Sequence, residues 1–190
     1  MSPSRINVIW LDDEFGTDSE RVLSVWQRPF VTGQGQDRAH LLTCNQVEHF
    51  AKLVRDGIVE EGQPTRRHYD LIILDIMLNL EEGSHFGALG FADESIIPMD
   101  AGAQLAGLLR STFHDDRRPE WLRPYVEVPL ILLSSSPLVV DLVMDHIGHR
   151  RMSGVEIFSK SLHLGSGAAS VAGSPEYLTC VDAMLRKTVG

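Results

Sequence analysis

Cysteine is almost missing from this chain: Cys44 and Cys180 are the only two in 190 residues. Two thiols make neither a disulfide framework nor a zinc site, so both are expected to be reduced core residues. Long apolar runs are missing as well. No stretch approaches the ~20 residues that a membrane-spanning helix requires, which leaves the membrane out as a partner. Positive charge is in deficit, with 17 Lys and Arg against 26 Asp and Glu and a formal net charge of −9. Such a surface repels phosphate backbones, so nucleic acid is not the expected partner. Arg66-Arg67 and Arg117-Arg118 are isolated pairs, expected to be solvated in loops. The opening residues, Met1-Ser2-Pro3-Ser4-Arg5, show no charged-then-apolar leader, and the expected location is cytoplasmic.

What is present is enough for one domain over residues 1–190. A hydrophobic content of 43% and a charged fraction of 23% are those of an ordinary globular chain, long enough to bury an adequate core. Its centre is Tyr69-Asp70-Leu71-Ile72-Ile73-Leu74-Asp75-Ile76-Met77. Leu71 to Leu74 show no polar alternation, so both faces must be covered, as in a central strand of a parallel sheet. Ile6 to Leu11, ending in Asp12-Asp13-Glu14, reads the same way, as do Pro129 to Leu133, ending in Ser134-Ser135-Ser136, and Val155 to Ser159, ending in Lys160. Leu41 to Cys44 supplies a fifth, shorter strand.

Helices fall between them. Asp18 or Ser19 can cap one with Val22, Leu23, Val25 and Trp26 on its buried face and Pro29 at its end. Asn45 is the expected cap of a second, buried through Val47, Phe50, Ala51 and Val54. Asp100 opens a third, with Ala103, Leu105, Ala106, Leu108 and Leu109. Pro137 opens a fourth, reaching Ile147, and Ser174-Pro175 starts a fifth, with Tyr177, Leu178, Val181, Met184 and Leu185 toward the sheet. His114 to Pro124 reads as charged loop. The spacing predicts a doubly wound (βα)5 three-layer sandwich, its parallel sheet ordered 2-1-3-4-5 in the flavodoxin-like manner. Two insertions interrupt it, at residues 79–98 and 161–173, both far longer than the ordinary connection of about 2–6 residues.

Strand tips of such a sheet are where ligand sites lie. Asp12, Asp13 and Asp75 would meet at the switch point between strands one and three, and three carboxylates in one crevice call for a cation. Oxygen ligands in small number, with retained waters, suit Mg²⁺ better than Ca²⁺. A carboxylate beside Mg²⁺ can attack phosphorus, with Lys160 and the ion supplying positive charge and Ser134 a hydroxyl donor. His146 and His149 have no third ligand in view and read as a surface helix end.

On these residues the chain resembles the receiver domain of response regulators in two-component systems. Ile9-Trp10-Leu11-Asp12-Asp13-Glu14 resembles its acid pair, Ile73-Leu74-Asp75-Ile76-Met77-Leu78 its phosphoacceptor strand, and Met99-Asp100-Ala101-Gly102-Ala103-Gln104-Leu105 its following helix start. Val128 to Ser135 is similar to the strand that carries the switch hydroxyl, and Phe158-Ser159-Lys160 to the lysine motif. The resemblance runs through residues 5–188 in order. It implies that Asp75 accepts a phosphoryl group from a histidine kinase or phosphotransfer protein, and that Asp12, Asp13, Asp75 and the Met77 carbonyl hold Mg²⁺. It further implies that Ser134 and Lys160 contact the phosphoryl group, and that the face formed by 137–147, strand five and the last helix is the output surface. Ser161 stands where the family usually has proline, and Ile157 where it often has an aromatic switch residue.

The expectation is a stand-alone receiver, not an enzyme with turnover, that signals by contact with an output protein; monomer and dimer are both open. One alternative is a receiver-like module that works without phosphorylation. Another is a haloacid-dehalogenase-type phosphohydrolase, which would need its nucleophile on strand one in an Asp-x-Asp pattern where this chain has Asp-x-Glu.

Overall fold

Runs apolar on both sides become strands only if helices cover both faces, and that is how these segments are arranged. The computed structural model describes residues 6–18, 20–30, 39–57, 68–78, 80, 85–95, 101–110, 118–136, 154–160 and 175–187. Strands β1 (Ile6–Leu11), β2 (Ala39–Cys44), β3 (Leu71–Asp75), β6 (Leu130–Ser134) and β7 (Val155–Ser159) form one sheet, and β4 (His85–Phe86) and β5 (Phe91–Ser95) form a separate hairpin. The large sheet is parallel throughout and ordered β2-β1-β3-β6-β7. Counting its own strands alone, that is the expected 2-1-3-4-5. Helices α1 (Glu20–Gln27), α2 (Val47–Asp56), α3 (Ala101–Arg110) and α4 (Pro175–Lys187) accompany it. The helix expected from Pro137, with His146 and His149, and the whole 161–173 insertion lie outside the described residues.

Successive residues of β1, β3 and β6 point to opposite faces, and two core clusters result. Ile9, Leu11, Ile72, Leu74, Leu130 and Leu132 pack with α2 and α3, through Val47, Phe50, Ala51, Val54, Leu105 and Ala106. Val8, Trp10, Leu71, Ile73, Ile131 and Leu133 pack with α1 and α4, through Leu23, Trp26, Tyr177 and Val181. Each fully buried aliphatic side chain contributes about 1.5–3 kcal/mol, so covering both faces outweighs any local propensity. The central strands are wholly buried, whereas the edge strands β2 and β7 are half-exposed.

Three expectations are corrected. Asn45 does not cap α2: the cap residue is Gln46, without a side-chain bond, and the Asn45 Nδ2 donates to the Phe15 carbonyl at 3.0 Å. That bond ties the loop after β2 to the loop after β1. The stretch read as charged loop before β6 instead holds a short 3-10 helix, Glu120–Tyr125, with Leu122 and Tyr125 buried. Arg118 is buried there and donates to the Leu108 carbonyl at 3.3 Å. Arg110 completes the anchorage by donating to the carbonyls of Tyr125, Val126 and Val128. The cysteines differ from each other, Cys44 being buried and Cys180 half-buried.

In the insertion after β3, the described residues form the β4–β5 hairpin, turning at Gly90 with φ +87°. A methyl group at Gly90 would overlap Pro119 Cγ and stand 3.3 Å from Pro119 Cδ. The hairpin turn is thus seated against the segment that leads into the 3-10 helix.

Candidate functional site

Each tip residue is placed by the strand that ends on it. Asp12 follows β1 and extends its pairing, the Asp12 amide donating to the Cys44 carbonyl of β2 at 3.0 Å. Asp75 is the last residue of β3, in register with Leu133 of β6. Ser134 ends β6 opposite Ser159, and Lys160 follows β7, its amide donating to the Ser134 carbonyl at 2.6 Å. Four neighbouring strands therefore bring Asp12, Asp75, Ser134 and Lys160 to one edge. All four are buried.

Lys160 lies at the centre of the charged set. Its Nζ is 3.0 Å from Asp12 Oδ2, 3.0 Å from Asp75 Oδ2 and 3.4 Å from Glu14 Oε2. Asp12 Oδ1 accepts from the Glu14 amide at 3.2 Å, so both oxygens of Asp12 are engaged. Asp75 differs: its Oδ1 is buried and has no hydrogen-bond partner among the described residues. A buried carboxylate oxygen without a donor is costly unless a ligand supplies one.

Electrostatics follow from burial and crowding. Burial is the largest influence on Asp75 and the Asp12 charge the next; together they outweigh the attraction of Lys160 and push the Asp75 carboxyl up to about 7. Asp12 is raised by burial too, against the opposing pull of Lys160. Burial alone would lower the Lys160 ammonium, but Asp75 and Asp12 hold it above its ordinary value. The three shifts agree on one picture, an ammonium firmly charged between two carboxylates that burial disfavours in their ionised form.

Asp13 completes the acidic set. Asp12, Asp13 and Asp75 can each offer an oxygen such that these atoms lie within 4.8 Å of one another, close enough to share a metal ion. A hard cation fits this donor set, since all of its donors are carboxylate oxygens. Met77, half-buried, follows two residues after Asp75. The Ser134 Oγ accepts from the Ser136 amide at 3.1 Å, which fixes the hydroxyl at the end of β6.

Compared with models of known protein families and with curated proteins, the chain matches none. No helix among the described residues is long and apolar enough to cross a membrane.

Of the side chains singled out in the sequence, the structure brings together Asp12, Asp13, Asp75 and Lys160, with Ser134 at the end of the strand between Asp75 and Lys160. Phe158 belongs to the core, edge-on to Tyr177 at 5.5 Å. Two neighbours were not foreseen. Glu14, beside the acid pair, reaches Lys160; its position next to two carboxylates was the available signal. Gly102 in the first turn of α3 lies against the backbone of Asp75, and a glycine inside a helix start is itself a signal, because helices disfavour it.

Proposed function

We propose that the protein is a receiver-type switch, in which Asp75 accepts a phosphoryl group from the phosphohistidine of a kinase or phosphotransfer protein. The observation that carries this reading is the difference between the two buried carboxylates on Lys160: each oxygen of Asp12 accepts a hydrogen bond, whereas Asp75 keeps one oxygen without a partner among the described residues. A nucleophile must have such a lone pair to give. A phosphohydrolase with its nucleophile on the first strand would use Asp12, each oxygen of which already accepts a hydrogen bond.

Asp75 Oδ1 attacks phosphorus in line with the departing histidine nitrogen. The P–N bond breaks as the P–O bond forms, the imidazole leaves with a proton from solvent, and Asp75 becomes an acyl phosphate. Lys160 gives up its bond to Asp75 Oδ2 and turns its ammonium to a phosphoryl oxygen, while Asp12 and Glu14 keep it in the crevice. The Ser134 hydroxyl donates to a second phosphoryl oxygen. Asp12, Asp13, Asp75 and the Met77 carbonyl would hold Mg²⁺, which would supply the remaining positive charge. The modified residue carries roughly −1.5 to −2 charges, and the resulting rearrangement is read by an output protein.

Incubation with acetyl phosphate and Mg²⁺ tests this. The expected result is an added mass of one phosphoryl group, lost in Asp75→Asn and Asp75→Ala while both variants stay folded. Undiminished modification of Asp75→Ala would place the nucleophile elsewhere.

A further inference from the structure

The chain leaves the site after Leu80, builds the β4–β5 hairpin, and returns to the same strand tip as the first turn of α3. Two hydrogen bonds hold the tip between the layers: the Ile76 amide donates to the Leu133 carbonyl of β6 at 2.7 Å, and the Gly102 amide donates to the Ile76 carbonyl at 3.0 Å. Gly102 has no positive φ, so backbone conformation does not explain a glycine there. Close approach does. A methyl group on Gly102 would overlap the Asp75 carbonyl oxygen, and would stand 2.7 Å from the Asp75 carbonyl carbon and 3.0 Å from Ile76 Cα.

Neither side can retreat from such a clash. Ala101, Leu105 and Ala106 of α3 are fully buried in the core, and β3 is pinned between β1 and β6. We propose that Gly102 is a positioning residue: by letting α3 seat directly on the Asp75–Ile76 backbone, it sets where the Asp75 carboxylate and the Met77 carbonyl stand. This inference rests on the receiver-type reading, in which those two groups are cation ligands. The bond from the Gly102 amide to the Ile76 carbonyl joins the chain before the hairpin to the chain after it.

Cation binding and the seating of α3 must then favour each other by the same factor. The test uses Mn²⁺ as a paramagnetic probe, its binding followed by electron paramagnetic resonance in the whole chain. Gly102→Ala is expected to weaken Mn²⁺ binding about 10–100-fold, as loss of a ligand-orienting partner does. Ala103→Gly is the control: it weakens the same helix turn without adding an atom near Asp75, so it lowers the thermal midpoint and leaves Mn²⁺ affinity unchanged. If Gly102→Ala does not fold, hydrogen exchange in the wild type decides. Saturating Mg²⁺ should slow the Gly102 amide about tenfold more than the Leu108 amide in the same helix. Equal Mn²⁺ affinity in folded Gly102→Ala, or equal slowing of the two amides, overturns the inference. A wild type that binds no cation sinks the receiver reading together with it, whereas wild-type binding that Gly102→Ala retains sinks this inference alone.

Discussion

In the absence of a divalent cation, ionised Asp75 is a liability to the fold, and Asp75→Asn should therefore stabilise the protein. The Asp75 carboxyl is raised from an ordinary 3.8 to about 7 in the folded state by burial and by Asp12. Between those two values the folded protein holds a proton that the unfolded chain has released, so stability falls as pH rises through that window. Below about pH 4 both states are protonated and the cost vanishes. Above about pH 7 it is complete. At 1.36 kcal/mol per unit the displacement corresponds to about 4 kcal/mol, and relaxation around the crevice reduces the expected effect to about 2–4 kcal/mol. Asparagine matches the neutral carboxyl in size and cannot ionise, while Lys160 keeps Asp12 at 3.0 Å and Glu14 at 3.4 Å. Urea unfolding in EDTA, followed by tryptophan fluorescence at a series of pH values, gives the comparison. With a slope of about 2 kcal/mol per molar urea, the midpoint of Asp75→Asn should lie about 1–2 M above wild type at pH 8 and coincide with it at pH 4. An asparagine variant less stable at pH 8, or a gap that does not close toward pH 4, would refute the reasoning. Divalent cation should then raise the wild type alone, by about 2.7 kcal/mol at a hundredfold excess over Kd.

The opposite substitution in the same cluster should have the opposite sign. Lys160→Met leaves Asp12 and Asp75 buried without their ammonium, and at pH 8 in EDTA should cost about 3–5 kcal/mol of unfolding free energy by urea titration; a cost near zero would mean the lysine does not compensate them. Burial pushes the Cys44 thiol up to about 12, and its Sγ donates to the Trp10 carbonyl at 3.4 Å, so Cys44 should resist iodoacetamide at pH 8 until the protein is unfolded, as peptide mass mapping will show. Tyr125→Phe removes the hydroxyl that donates to the Val54 carbonyl at 2.9 Å. It should lower stability by about 0.5–1.5 kcal/mol by thermal unfolding, without altering cation affinity.

The sheet was legible because its central strands are apolar on both faces, and a run such as Leu71 to Leu74 has no other economical use. Their order followed from the alternation of strands with amphipathic helices, and the site from what stands just beyond each run. Local polar chemistry was less legible. Asn45 has the composition of a helix cap, but an amide at that position can equally reach a neighbouring loop, and the Phe15 carbonyl wins it. The residues around Arg117-Arg118 were masked by their charge. The apolar positions Trp121, Leu122 and Tyr125 among them were the contrary signal, and they pack on the α2–α3 side of the sheet. In the hairpin the cue was Gly90 between two aromatics, since Phe86 and Phe91 are the paired residues that flank the turn. Gly102 could be read as a costly residue in a helix, but only the fold brings it against Asp75, which is distant in sequence.

The charge count at the strand tips argues for a cation. Asp12, Asp13 and Asp75 stand around one point, and Lys160 neutralises one of the three. Glu14 lies 3.4 Å from the same ammonium, so four carboxylates share one positive charge and an excess of negative charge is left for a cation to offset. A second lysine in place of an ion would offset part of that charge permanently and leave less for a ligand to change. In the receiver-type reading proposed above, a bound cation would keep Asp75 ionised at neutral pH and its free oxygen available as a nucleophile. Without the ion the same residue is driven toward its protonated, unreactive form. On that reading burial would couple reactivity to cation binding: the desolvation that destabilises ionised Asp75 in the empty crevice would also strengthen the field acting on a phosphoryl group once the crevice is filled.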